Sequence, residues 1–160
     1  MTVAVGAILL TIGIPSFRYI TNSNRIAAEI NGLLGDLQFA RSEAIKEGQS
    51  VSVCVSSSGT ACTGGVNWQN GWIVISSAGI VGVLRVQPQF SSSDTFVANN
   101  ALSTITFNRD GYANGVAAGT LIELHDITNN HNWTRCLAIT LSGMIASQTY
   151  NTTTNGVTCL

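Results

Sequence analysis

The chain has 160 residues, a formal net charge of -1, and only 9% charged side chains against 45% hydrophobic ones. That length supplies one domain with a core of its own. The near-neutral balance gives no global electrostatic case for nucleic acid or anionic lipid, and the apolar fraction excludes a disordered chain.

The first element is an apolar run, Val3 to Ile14, containing Val5, Ile8, Leu9, Leu10 and Ile12. A bilayer-spanning helix needs ~20 apolar residues, so this run is too short as it stands. No basic segment precedes it, so it does not read as a complete signal peptide. A missing N-terminal extension is the simplest reading; a buried core helix is the alternative. Pro15 lacks an N–H and predicts a kink or local unwinding. Beyond it Ile26, Ile30, Leu33 or Leu34, Leu37, Ala40 and Ala44 form the stripe of a helix lying on a core. Gly48 is a suitable stop. The pattern predicts one long helix with a lipid-facing first third, a kink, and a second half packed on a domain.

After Gly48 the period changes to two. Val51–Val55, Trp72–Ile75, Val81–Val86, Thr104–Phe107, Thr120–His125, Arg135–Leu141 and Met144–Ala146 read as strands. Ser76 to Gly79 connects the second and third. Gln87 to Asn100 is polar and reads as a loop, and Asn108-Arg-Asp-Gly111 as a turn. About seven short strands after one helix predict an α+β fold, with a sheet or sandwich packed on the helix. Trp72 is expected in the core; Trp68 fits either a core or an exposed contact.

The cysteines are Cys54, Cys62, Cys136 and Cys159. An even count behind an export-like segment points to disulfides, and three pairings are possible. Neighbours in sequence suggest Cys54–Cys62 and Cys136–Cys159. Free buried thiols are the alternative. The cysteine and histidine spacings do not fit zinc. His125-Asp126 and His131 are the only hint of a catalytic cluster. The chain has no Gly-x-Ser-x-Gly elbow, phosphate loop or His-Glu-x-x-His to support one. Asn132-Trp-Thr134 and Asn151-Thr-Thr153 match the glycosylation pattern.

Several pieces taken in order resemble the FimT/GspH family of minor pilins and pseudopilins. They are the stem ending Ile14-Pro15-Ser-Phe17, then Ala40-Arg-Ser-Glu-Ala44 and Val51-Ser-Val-Cys54. Asn67-Trp-Gln-Asn-Gly-Trp-Ile-Val74, Ile105-Thr-Phe107 with Asp110-Gly111, and Cys136-Leu-Ala-Ile-Thr-Leu-Ser-Gly143 follow. The resemblance covers nearly the whole chain. The Trp-x-x-Gly-Trp piece with its cysteine-bounded loop looks more like the type IV pilus branch than the secretion branch.

The resemblance implies a type IV pilin-like fold. Residues 1–21 would be a transmembrane and filament-core stem, and residues 22–160 an extracytoplasmic globular domain. Stem residues Val3, Val5, Ile8, Leu9, Leu10, Ile12, Ile14 and Pro15 would first meet inner-membrane lipid. They would later meet the helices of other major and minor pilins, aided by small residues such as Ala4, Gly6, Ala7 and Gly13. Family members carry a leader cut by a prepilin peptidase ahead of a Phe-Thr-Leu-Ile-Glu-Leu-like segment. By that resemblance Met1 would fall about seven residues into the mature helix, past the cleavage site and assembly glutamate, as expected of a truncated chain or a misassigned start. Gly119-Thr-Leu-Ile-Glu-Leu124 imitates that segment but sits among strand residues. The implied location is the bacterial inner membrane, single-pass with a periplasmic domain, and then the pilus.

The implied function is assembly, initiation or tip formation in a type IV pilus, without catalysis, cofactor or metal. A type II secretion pseudopilin is one alternative, and a DNA-uptake pilin is the other. In the family, DNA binding goes with a Gly-Arg-x-Arg motif, and this chain has Gly143-Met-Ile-Ala-Ser147 there. Two missing phosphate contacts reduce the salt slope of binding by about 2. Arg85, Arg109 and Arg135 remain as scattered candidates for DNA contact.

Overall fold

The architecture is that of a computed structural model describing residues 2–77, 82–154 and 156–160, with side chains from residue 17 onward. One helix, α1 (Thr2–Glu47), leads into the strands. It runs through Pro15 as α-helix, which corrects the expected local unwinding. One proline removes a single i→i−4 bond, and the turns on either side keep theirs. The side chains of Val3, Val5, Ile8, Leu9, Leu10, Ile12, Ile14 and Pro15 lie outside the described residues. Among the described residues no helix is long and apolar enough to cross a membrane. Gly48 ends α1 with φ +67°, the left-handed backbone that glycine adopts without penalty.

The strands are β1 (Val51–Val55), β2 (Trp72–Ser76), β3 (Gly82–Gln87), β4 (Thr95–Ala98), β5 (Thr104–Phe107) and β6 (Ala113–Asn114). They continue as β7 (Thr120–His125), β8 (Arg135–Ile139), β9 (Ile145–Thr149), β10 (Thr153–Thr154) and β11 (Val157–Thr158). One sheet has the order β3-β2-β1-β5-β6, a second β4-β7-β8-β9, and β10-β11 forms a small hairpin. Every strand pairing among the described residues is antiparallel.

The fold is therefore α+β, with more strands than the expected seven. The segment read as a loop, Gln87 to Asn100, contains β4, which pairs with β7 from Thr95↔His125 to Ala98↔Ile122. The strand predicted over Arg135–Leu141 ends at Ile139. The next begins at Ile145 and runs on to Thr149. Positions 78–81, which include half of the predicted Ser76–Gly79 connection and Val81, lie outside the described residues.

The core sits between α1 and both sheets. Ile26, Ile30, Leu33, Leu37, Ala40 and Ala44 are all buried, so the helical stripe runs through Leu33 while Leu34 packs at its margin. Period-two alternation sends Val51, Val53 and Val55 of β1, Ile122 and Leu124 of β7, and Leu137 and Ile139 of β8 into the same core. The opposite face of β7 and β8 holds a smaller cluster of Leu121, Cys136, Ala138 and Cys159, with Val157 against it. Cys136–Cys159 is a disulfide and pins the C-terminal tail over that face. Cys54–Cys62 is the other, and it closes the loop after β1.

Candidate assembly surface

Three clusters tie the amphipathic half of α1 to the sheets. The first is built by Asn67-Trp-Gln-Asn-Gly-Trp72. A 3-10 turn over Trp68–Asn70 sends both tryptophans inward. The Trp68 indole donates to the Leu102 carbonyl at 3.1 Å, and Trp72 donates to Asp36 on α1 at 2.9 Å. Between them the Gln69 side chain accepts from the Phe96 N–H of β4 at 3.0 Å. A Cβ at Gly71 would lie 2.6 Å from the Gln87 carbonyl oxygen, so that position requires glycine. Trp68, left open between core and contact, is therefore a core residue.

The second cluster lies where α1 enters the domain. Arg25 grips Asp94 with two nitrogens, at 2.6 and 3.0 Å, and Asp94 is buried. This bidentate pair joins residues 69 apart in sequence. Beside it Ser92 donates to Glu29 at 2.9 Å, while the second Glu29 oxygen is buried without a partner. Burial, reinforced by the Asp94 charge, raises the Glu29 pKa to about 7, against the opposing pull of Ser92 and Arg25. An open groove of about 390 Å³ runs past Glu29, between Ala28 and Gly32 of α1 and the Gln87–Ser91 segment.

The third cluster lies at the far end of α1. Arg41 donates to the Ser142 carbonyl at 3.3 Å, and its Nε is buried without a partner. Gly111 and Gly143 are both buried and both have positive φ. A Cβ on Gly143 would lie 2.1 Å from the Gly111 carbonyl oxygen, and one on Gly111 would lie 3.1 Å from Arg41 Nε. The turn after β5 and the turn after β8 thus meet glycine to glycine beneath Arg41. Three of the short motifs read from the sequence converge at this point.

A family model described as Type II transport protein GspH matches residues 29–143. The chain belongs to the GspH family. Two crystal forms of the type IV minor pilin FimU of Pseudomonas aeruginosa share the fold of this GspH-family chain. One is 21% identical with a TM-score of 0.61, covering 82% of this chain and 92% of the other. The second is 22% identical with a TM-score of 0.58, covering 78% and 91%. No curated protein sequence matches the chain.

In this GspH-family domain the three candidate arginines do not come together. Arg85, on edge strand β3, pairs with Asp36 at 3.0 Å and lies 3.7 Å over the Phe39 ring. Arg135, at the start of β8, donates to the carbonyls of Asn132 and Thr134 at 3.0 and 2.8 Å. Arg109 is exposed in the turn after β5. Gly143 lies in the turn before β9, Met144 is exposed, and Ile145 to Ser147 belong to β9.

The histidines are also dispersed. His125 Nδ1 meets the Thr134 hydroxyl at 3.3 Å, and its Nε2 is 3.7 Å from Glu123. Thr134 is buried. Asp126 accepts from the Thr128 hydroxyl and the Asn130 N–H, not from a histidine. Burial acts to raise its pKa, but those bonds and the Arg25 charge outweigh it and hold it below the usual value. His131 stacks on Tyr150 with ring centroids 3.9 Å apart.

Sequence reasoning missed the Arg25–Asp94–Ser92–Glu29 cluster. Its signal was the alternation Asp94-Thr-Phe-Val-Ala98, which is short and lies within a polar stretch.

Proposed function

We propose that this chain is a minor pilin subunit of a type IV pilus, acting in assembly, initiation or tip formation without catalysis. One observation carries the reading. From Ile26 onward α1 is packed on the sheets, yet it extends N-terminally past them with Phe17, Arg18, Tyr19 and Ile20 exposed. A helix apolar beyond its own domain suits exchange of lipid contacts for neighbouring helices. In this reading residues 1–21 are the stem and 22–160 the extracytoplasmic domain. The stem residues Val3, Val5, Ile8, Leu9, Leu10, Ile12, Ile14 and Pro15 meet inner-membrane lipid before assembly and other major and minor pilins after it. A prepilin peptidase matures the precursor. Both disulfides suit an oxidising compartment.

A second reading, a pseudopilin of type II secretion, is supported by membership of the family of the type II transport protein GspH. Deleting the gene separates the two. The pilus reading predicts loss or shortening of surface filaments with secretion intact, restored by the wild-type gene. Secretion loss with normal filaments overturns it.

DNA uptake is the less supported alternative. Arg85 is neutralised by Asp36, Arg135 is turned toward backbone carbonyls, and Met144 stands where the family motif has arginine. Anisotropy with duplex DNA at low and moderate salt tests it. The assembly reading predicts no salt-dependent micromolar binding.

A further inference from the structure

The end of the domain from which α1 emerges carries a ring of apolar, aromatic and basic side chains, mostly exposed, in which Trp133 is half-buried against the core with its indole N–H buried and unpartnered. Register places the end of β7, the start of β8 and the end of β9 together, through Leu124↔Arg135 and Arg135↔Thr149. The loop between β7 and β8 reaches α1 here, with Trp133 against Tyr19 at 5.8 Å between ring centroids. Ile127 projects from the same loop and is 70% exposed, although its neighbours Thr128 and Asn129 are polar. Phe17, Tyr19 and Ile20 are exposed on the helix.

Two features fix what this ring faces. The first is the level of the boundary. The helix sequence is mostly apolar up to Ile20 and then turns polar at Thr21, Asn22, Ser23 and Asn24. The Tyr19–Trp133 contact puts the β7–β8 loop at that transition. Tyrosine and tryptophan concentrate at the level where hydrocarbon gives way to headgroups.

The second feature is charge. Of the acids at this end, Asp94 is paired by Arg25, Glu29 accepts from Ser92, Glu123 lies beside His125, and Asp126 keeps its charge while its oxygens are turned to Thr128 and Asn130. Arg18 is exposed, and Arg135 has only Nη1 committed, to two carbonyls. Arginine stems can lie along apolar surface while the guanidinium reaches phosphate.

We propose that this ring is an interfacial collar. Ile127, Trp133, Tyr19 and Phe17 sit in the headgroup layer of an anionic bilayer, and Arg18 and Arg135 contact lipid phosphates. The collar holds the domain against the membrane until the stem is withdrawn into a filament. It rests on the reading of residues 1–21 as a membrane stem. It adds that the globular domain itself touches lipid, through a loop more than 100 residues away from the stem in sequence.

The tryptophans make the test selective. Trp68 and Trp72 are buried, so Trp133 is the reporter for lipid contact. The full chain is reconstituted into vesicles of phosphatidylcholine with phosphatidylglycerol, carrying lipids with a quencher near the headgroup or deep in the acyl chains. Flotation reports whether the stem holds the chain in the membrane. The collar predicts strong quenching by the shallow quencher, absent in W133F. It also predicts that quenching is largely lost in the I127D/R135Q variant while flotation is unchanged. Flotation with no shallow quenching of Trp133, or quenching unaffected by I127D/R135Q, overturns the collar and leaves the stem reading intact. Failure to float overturns the stem reading and the collar with it.

Discussion

Gly143→Ala tests whether the turn-on-turn junction is rigid. The added Cβ would stand 2.1 Å from the Gly111 carbonyl oxygen, whereas carbon and oxygen ordinarily approach to about 3.3 Å. The obstruction is backbone on both sides, so about 1 Å must come from moving one turn. The residue also holds φ +74°, which costs an L side chain roughly 1–2 kcal/mol. With about 1–3 kcal/mol for overpacking, the loss is roughly 2–5 kcal/mol. Gly48→Ala is the matched control. It has φ +67° and nothing within 4 Å of its Cβ, so only the backbone cost of about 1–2 kcal/mol applies. Urea unfolding of the full chain in mild detergent, followed by Trp68 and Trp72 emission, reads the difference. With a slope of about 2 kcal/mol/M, Gly143→Ala lowers the midpoint by about 1–2.5 M and Gly48→Ala by less than about 1 M. Equal midpoints would refute the idea that Gly111 and Gly143 lock the two turns.

Three further outcomes are expected. Glu29 has a folded pKa of about 7, above its ordinary 4.5, so the folded state holds a proton that the unfolded state releases. Stability therefore falls as pH rises from 4.5 to 7. Glu29→Gln flattens that decline, by roughly 1 kcal/mol after solvent screening, in urea midpoints taken across the window. Asp126 has the opposite sign, with a folded pKa below 3.8, so its contribution is present at neutral pH and lost in acid. Asp126→Asn lowers the midpoint at pH 7, and the gap to wild type closes as the pH falls below 3.8. Replacing Cys136 and Cys159 by alanine opens a closure of 23 residues and costs about 3 kcal/mol; the same change at Cys54 and Cys62, separated by 8, costs about 2.5. The midpoint shift is accordingly larger for the tail disulfide.

What the sequence made legible was periodic. Ile26 through Ala44 recur at helical spacing, and the same residues meet the sheets. Val51, Val53 and Val55 alternate and point to one face. Elements defined by partners rather than period were hidden. Strand β4 has four residues behind a run of serines, and it is a strand because β7 pairs with it. The two-residue strands β6, β10 and β11 are too short to carry a pattern.

The site followed the same division. The tryptophan motif was visible locally, but the inward turn of Trp68 depends on Leu102. Arg25 and Asp94 are 69 residues apart, and neither flanking sequence announces the other. Gly111 and Gly143 each read as turn residues, whereas their need for each other arises only when two hairpins pack. Arg85 and Arg135 were legible as charges, but their partners, Asp36 and backbone carbonyls, were not.

The most direct test of the pilin assignment is to follow the chain in sheared surface filaments from its own cells, using an antibody to the folded domain. The assembly account predicts that the chain is recovered with the sheared filaments and that filaments diminish when its gene is deleted. A chain found wholly in the membrane fraction of normally piliated cells, with filaments unchanged by the deletion, would contradict it.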